Sequence, residues 1–376
     1  MRRVEFAYRL NEGPAGPPGL GHPLVDLLQA VQEGGSIVAA AGRLGVSYRH
    51  AWGQLKRWEV ELGQPLVGWS QGEAARLSPF ATKLLWAERQ AQARIAPQLE
   101  AVRGELERAF ALAFDPQVQV LTLFASHDEA VSALRGHAGG AGLQLDMRFV
   151  GSVDAISALN EGRCVVAGFH TPAQPAPGSL AQRTYQPLLE PGRHKLIGFA
   201  RRWQGLAVAP GNPLGLGSVV DIARQRARFV PRALGTGTRL LFEEMLQAAG
   251  ILPDSIRGLQ APEPSHAAVA QAVASGAADV GLCIEPAARA LGLGFVPLLE
   301  EHYHLACLKD ALDEPPVASL RRVLRSRGWR DRIAGLPGYT PSRSGQVLSL
   351  RRELPWWRFE APPPRRALRP RRSGSR

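Results

Sequence analysis

Apolar residues recur at Leu24, Leu27, Leu28 and Val31, the i, i+3, i+4, i+7 spacing that lays one apolar stripe along a helix. Gly34-Gly35 ends that helix, and Ser36 is placed to cap a second one over 37–44. Gly45-Val46-Ser47 reads as a tight turn followed by another capping serine. A third helix over 48–62 then carries Ala51, Leu55, Trp58 and Leu62 on one face and stops at Gly63-Gln64-Pro65. Two short strand-like runs, 66–69 and 74–77, flank Gln71-Gly72-Glu73 and predict a β-hairpin wing. From Ser78 a long helix extends to about 114, with Pro97 as a point where it can bend.

Beyond residue 117 the period changes. Apolar runs at 118–124, 143–150, 164–169, 228–230 and 279–284 predict strands, and 128–137, 153–161, 238–249 and 266–274 predict helices. Strands alternating with helices argue for a parallel α/β architecture. The stretch 171–178 is a proline-rich loop, and from about residue 355 no period remains, as in a disordered tail.

Composition refines this picture. The 376 residues carry a net charge of +12, enough chain for two domains and a tail, and a balance that favours a polyanionic partner. Six arginines with no acid fall within 361–376, so any nucleic-acid signal elsewhere must come from local clustering. Cys164, Cys283 and Cys307 are far apart and fit no metal or disulfide spacing; they read as small buried residues in a reducing compartment. No run approaches the roughly 18 apolar residues of a membrane span. Met1-Arg2-Arg3 is followed by no apolar segment, so a signal peptide is not expected and the cytoplasm is the expected location.

A helix-turn-helix that reads DNA needs small residues where two helices cross, a short turn, and polar residues on the outer face of the second helix. Ala39-Ala40-Ala41 and Gly45 meet the first two needs. Ser47, Tyr48, Arg49, Trp52, Lys56 and Arg57 meet the third, with no acid from 47 to 57; Ser36 and the wing residue Arg76 complete the candidate DNA contacts. The run from Gly35 to Trp52, continuing through Glu59 to Val67, resembles the LysR-type and ModE-type regulators. Ser47-Tyr48-Arg49-x-Ala51-Trp52 is nearer ModE, and Ala75-Arg76-Leu77-Ser78-Pro79 resembles that family's wing ending. The resemblance implies a winged helix-turn-helix on double-stranded DNA. It also implies a long helix that pairs two subunits into a homodimer or higher homo-oligomer, the alternative for that helix being packing against the protein's own second domain.

In the α/β half, Ser126 follows the first strand, Ser152 the second, and Gly235-Thr236-Gly237-Thr238 opens a later helix. Hydroxyls and free backbone N–H groups at helix N-termini, gathered where strands end, suit a small oxyanion, and Arg239 could add positive charge. His127 and His266 are weaker candidates, and Glu285 near the cleft would repel an oxyanion and favour a larger or zwitterionic ligand. Phe124-Ala125-Ser126-His127-Asp128, Ala167-Gly168-Phe169-His170, Leu234 to Arg239 and Glu263-Pro264-Ser265-His266 resemble the periplasmic-binding-protein type of domain, in the cytoplasmic version fused to ModE-type regulators. That resemblance implies a type 2, two-lobed α/β domain, with crossovers near Gly205 and Phe295 and a ligand in the cleft. It implies molybdate or tungstate as effector, with Ser126, His127, Ser152, Thr236, Gly237, Thr238, Arg239 and Glu285 as ligand-site candidates. No enzyme is expected: Ser126-His127-Asp128 are adjacent and cannot act as a triad, and Gly235-Thr236-Gly237-Thr238 lacks the lysine of a phosphate loop. The expected domains are a flexible segment (1–20), a winged helix-turn-helix (21–82), a linker and dimerisation helix (83–116), a sensor (117–345) and a basic disordered tail (346–376). The functional expectation is a ligand-responsive transcriptional regulator. The alternative is a ligand carrier or molybdenum-cofactor-assembly protein that uses the helix-turn-helix only to dimerise.

Overall fold

A computed structural model describes residues 22–68, 75–115 and 117–357. The predicted flexible start, the tip of the wing and the arginine-rich end from 358 onward lie outside the described residues. The N-terminal domain consists of α1 (Pro23–Gly34), α2 (Ile37–Leu44), α3 (Tyr48–Leu62) and a two-stranded antiparallel wing of β1 (Val67–Gly68) and β2 (Arg76–Leu77). Its core gathers Leu24, Leu27, Leu28 and Val31 of α1, Ile37, Ala40 and Ala41 of α2, and Ala51 and Leu55 of α3, as the periodicity predicts. Gly45 takes φ +66° between α2 and α3, a backbone state in which a side chain is strained; this makes the sharp turn possible. Trp58 and Leu62 are only half-buried, so the interior face of α3 is narrower than its apolar pattern.

Helix α4 (Pro79–Phe114) starts at the Ser78 cap and runs unbroken through Pro97. Ala81 and Leu85 close the core of the N-terminal domain, while Pro97, Glu100 and Gly104 are buried against the next one. The same helix therefore belongs to both domains.

The α/β domain follows in order β3 (Gln119–Ala125), α5 (Glu129–Gly139), β4 (Leu143–Phe149), α6 (Ser152–Asn160), β5 (Val166–Pro172), α7 (Leu180–Tyr185), β6 (His194–Val208), α8 (Val219–Arg224), β7 (Phe229–Val230), α9 (Gly237–Ala248), α10 (His266–Ala274), β8 (Val280–Ile284), α11 (Glu285–Arg289), β9 (Gly294–Leu308), α12 (Pro315–Arg325), α13 (Arg327–Ala334), β10 (Tyr339–Pro341), β11 (Val347–Leu348) and α14 (Leu350–Glu353). The strands form one curled sheet in the order β4-β3-β5-β9-β6-β8-β7, with β10 and β11 also on β6. β3, β4 and β5 are parallel and make the first lobe; β7 and β8 are parallel and make the second.

Two 15-residue strands, β6 and β9, run antiparallel through both lobes. They are the crossovers expected near Gly205 and Phe295, and their register shifts at Gly198/Ala200 and Gln204/Gly205. A Cβ on Gly205 would stand 2.3 Å from the Val296 carbonyl oxygen, so only glycine lets the two strands cross this closely. Apolar positions along the parallel strands are buried on both faces, which is why the strands read as continuous apolar runs.

The disordered tail expected from 346 is corrected at its start. β11 pairs with β6, and Leu348, Leu350, Leu354 and Trp356 are buried in the first lobe. Gln186 donates from its side-chain amide to the Trp356 carbonyl at 2.8 Å. The segment is too short and too basic to show a period, yet it closes the lobe with four large apolar side chains.

Candidate functional site

On the N-terminal domain, α3 presents its polar face outward. Ser47 caps it by accepting from the His50 amide, and Tyr48, Arg49, Lys56 and Arg57 are exposed. Tyr48 stacks on Trp52, and the Lys56 ammonium lies 4.7 Å from the Trp52 ring while pairing with Glu59 at 2.7 Å. Arg57 donates to Gln54 at 2.5 Å. Glu59 also accepts from the Leu66 amide at 2.8 Å, which fastens the end of α3 to the wing and, with Lys56, draws its carboxyl below the ordinary value against the upward push of burial. Arg76 is exposed on β2. Ser36 spends its hydroxyl capping α2, accepting from Ala39 at 3.1 Å. The predicted DNA face is thus one surface of α3 plus the wing, with Ser36 in a capping role.

In the α/β domain, the loops before α6 and α9 meet across the two lobes. A Cβ on Gly151 would be 2.7 Å from the Gly235 carbonyl oxygen, and one on Gly237 would sit 3.5–3.6 Å from His170 Cβ, Ser152 Oγ and the Tyr185 hydroxyl. Ser126 Oγ and Ser152 Oγ are 3.4 Å apart and both residues are buried. Ser152 is the first residue of α6, as expected, whereas Ser126 lies three residues before α5; neither side chain caps a helix, since Asp128 caps α5 and Gly151 is the N-cap of α6. Their hydroxyls are consequently available to the cleft. Thr236 caps α9, accepting from the Arg239 amide. Thr238 Oγ1 accepts from Gln204 at 2.8 Å, tying α9 to the crossover strand.

Two predicted ligand residues lie elsewhere in function. Arg239 is neutralised by Glu243 at 2.6 Å, and Glu285 pairs with Arg289 at 3.2 Å beside Gly338, so the repulsion expected from it falls away. His127 donates from Nε2 to the Glu100 carboxylate of α4, 3.2 Å away. His266, read as a weak rim candidate, is buried at the N-terminus of α10.

The sequence reading missed the charged floor of the cleft. Arg202 of β6 is buried against Asp128 and against Glu301 at 2.9 Å, and the Tyr339 hydroxyl donates to Asp128 at 2.6 Å. Burial pushes the Glu301 carboxyl up, with Arg202 pulling the other way. Arg232 is buried just past β7, donating Nη1 to the Glu263 carbonyl at 3.2 Å. Desolvation, with Arg202 nearby, brings it down to about 9. Burial, and then nearby charges, push His170 and His266 well below the usual histidine value. A basic residue directly after a buried strand is the one signal that marks Arg232, because ligands of α/β sheets bind at the carboxyl ends of strands. Among the described residues no cluster of His, Cys, Asp and Glu is placed to hold a metal ion, and no helix is long and apolar enough to cross a membrane.

Helix α4 reaches both lobes beside this cleft. Arg94 holds the Glu263 carboxylate with two hydrogen bonds of 2.6 and 2.8 Å, and the Gln90 side-chain amide donates to the Ala268 carbonyl at 3.2 Å. Pro97 has no N–H, so the Ala93 carbonyl lacks its partner one turn on; the Ser265 hydroxyl donates to it at 2.9 Å. Those contacts are to the second lobe. Three residues past Pro97, Glu100 meets the first lobe: its carboxylate meets His127 and accepts from Ser132 at 3.0 Å, while its carbonyl accepts from Arg135 at 2.7 Å. Burial is the largest single influence and pushes its carboxyl up, but His127, Arg135 and Ser132 together outweigh it and hold the carboxyl below the ordinary value.

Residues 132–325 match the family model of the PBP superfamily domain, and residues 24–82 match that of the bacterial regulatory helix-turn-helix protein, lysR family. The chain is 27% identical over 240 residues to the "Uncharacterized protein YvgK" of Bacillus subtilis (strain 168), covering 62% of this chain and 75% of that one. It is 32% identical over 111 residues to the "Uncharacterized protein in ferredoxin 2Fe-2S gene 5'region" of Clostridium pasteurianum, covering 29% of this chain and 98% of that one. Among solved structures, full-length BenM is similar with a TM-score of 0.39 and 15% identity, covering 83% of this chain and 96% of that one.

Proposed function

We infer the function from a family now in hand: the chain belongs to the PBP superfamily, residues 24–82 form a LysR-type helix-turn-helix, and the two together make a ligand-responsive transcriptional regulator. Its DNA contacts are Tyr48, Arg49, Trp52, Lys56 and Arg57 on α3, with Arg76 on the wing. The effector sits between the lobes, at the Ser126, Ser152, Gly237 and Thr238 cluster, and is a small oxyanion of the molybdate or tungstate class.

The observation that carries this reading is the course of α4. The helix that closes the core of the DNA-binding domain is held to one lobe by Arg94, Gln90 and Ala93 and to the other by Glu100. A change in the angle between the lobes therefore reaches the helix-turn-helix through one rigid element, which a ligand carrier with an idle N-terminal domain would not need. Two hydroxyls 3.4 Å apart, free of capping duty at the mouth of α6, support an oxyanion, which takes hydrogen bonds without a full countercharge.

The test is fluorescence anisotropy of a duplex from the region upstream of the protein's own gene, at several salt concentrations, with and without molybdate. Binding that weakens as salt rises, and that molybdate shifts, is the expected result. Arg49→Ala should weaken binding on all sequences and lower the salt slope by about 1, as for the loss of one phosphate contact. A duplex affinity indistinguishable from zero at low salt would leave the ligand carrier as the better reading.

A further inference from the structure

Arg232 is 3% exposed, yet the structure gives it little to neutralise its charge. Its Nη1 is spent on a main-chain carbonyl, Nε has no hydrogen-bond partner, and the Glu263 carboxylate next to it is turned the other way onto Arg94. A buried cation without a paired carboxylate is costly, because burial strips it of water and no opposite charge compensates. Such a group persists where something else supplies the negative charge. Two more buried ring nitrogens, His170 Nε2 and His266 Nδ1, are each without a hydrogen-bond partner, and both rings lie close enough to Arg232 to feel its charge. His170 comes from the first lobe and stacks against Tyr303, their ring centroids 3.8 Å apart; His266 and Arg232 come from the second. His170 is also next to Gly237, whose Cβ position lies 3.5 Å from it, and so borders the hydroxyl cluster.

We propose that Arg232, with His170 and His266 facing it from opposite lobes, forms the charge anchor for a small oxygen-bearing anion, and that the effector binds with its negative group on this triad. The proposal rests on the reading of the cleft as the effector site and names what that site recognises: the anion takes the Arg232 Nε donor and the two imidazole N–H groups, while Ser126 and Ser152 serve its remaining oxygens. Because the imidazoles belong to different lobes from one another, a bound anion also joins the lobes.

The imidazoles make binding pH-dependent. Around His170 stand Tyr185 of α7, Arg202 of β6, Tyr303 and His304 of β9 and Arg232; around His266 stand Arg232, Arg202, His170 and His127. The cations of this set help keep both rings neutral. An anion between them reverses that field, so one or both rings take up a proton as it binds, and affinity rises as pH falls.

The experiment uses the full chain and four probes: molybdate, sulfate, phosphate and oxalate. Wild type is titrated calorimetrically in two buffers of different ionisation heat, alongside Arg232→Met. At least one probe is expected to bind wild type with net proton uptake. R232M should lose at least tenfold in affinity for that probe while melting at or above the wild-type temperature without ligand, because an unpaired buried charge has been replaced by an apolar side chain of similar length. A merely structural Arg232 would give the opposite melting shift. Should R232M fold poorly, His266→Gln keeps the test open, with reduced proton uptake as its expected signature. Binding of none of the four probes, unchanged affinity in R232M, or binding without proton uptake would each overturn the proposal. None of those results bears on whether the duplex binds in a salt-dependent way in the anisotropy assay, so failure of the anion anchor and failure of the DNA-binding regulator reading are told apart.

Discussion

Ser126 and Ser152 show how a single residue can carry two readings until its neighbours are known. In the sequence each follows a strand and precedes a helix, which suits an N-cap as well as a ligand donor. The structure gives the capping to Asp128 for α5 and leaves the serines 3.4 Å from one another. Ser152 is fully buried, and the Tyr185 hydroxyl lies beside it. Ser152→Ala should therefore lower affinity for the anionic effector by roughly 10- to 100-fold, the range for a hydrogen bond to a charged group. Its melting temperature should change little. Calorimetric titration of the variant checks this, and wild-type affinity would remove Ser152 from the site. Arg239 went the other way: its position in Gly237-Thr238-Arg239 looks right for an anion, but Glu243 one turn on takes its charge. A sequence shows both residues and not which rotamer joins them. Arg232, by contrast, is marked in the sequence only by its place just past a buried strand; its burial is a product of the fold around it.

Elements were more legible than residues. The periods of α1 to α4, the turn at Gly45 and the alternation of strands and helices all come from local spacing, and the observed bounds differ from the expected ones by a residue or two at most ends. What local spacing could not carry is partnership across the chain. The extent of α4 and the position of Pro97 were readable; its contacts with Glu263 and Ser265 lie some 170 residues away. These contacts make α4 the element on which signalling should depend. Arg94 is half-exposed, so its pair with Glu263 contributes no more than about 1 kcal/mol to stability. Arg94→Met should thus fold and bind DNA as wild type does while losing most of the effector's influence on DNA affinity. Anisotropy titrations with and without molybdate read this directly. An undiminished effector response would mean the lobes communicate with the DNA-binding domain by another route.

At the scale of the whole molecule, the histidines set how the protein meets acid. Burial, first, and neighbouring charges hold His170, His266 and His304 below the ordinary histidine value, His304 to about 3. His194 and His302 are lowered too, again chiefly by burial. In the unfolded chain all of them take up protons near 6.5; in the fold they stay neutral. The unfolded state therefore binds more protons below that pH, and stability falls as pH drops through 6.5, by up to about 1.4 kcal/mol per pH unit for each such ring. Raised carboxyls such as Glu301 and Glu129 act in the opposite sense, their contribution being lost as pH rises above 4.5. The histidine contribution is the one that grows as pH rises from 5.5 to 7. Urea melts across that window should show a steady loss of stability for the unliganded protein. A saturating anion that lets His170 and His266 protonate in the folded state should flatten the slope, since the fold then takes up the same protons as the unfolded chain. A slope that is already flat without ligand would mean these rings titrate freely in the fold. A steep slope that no anion changes would mean they are held neutral by packing alone, and the effector's charge lies elsewhere in the cleft.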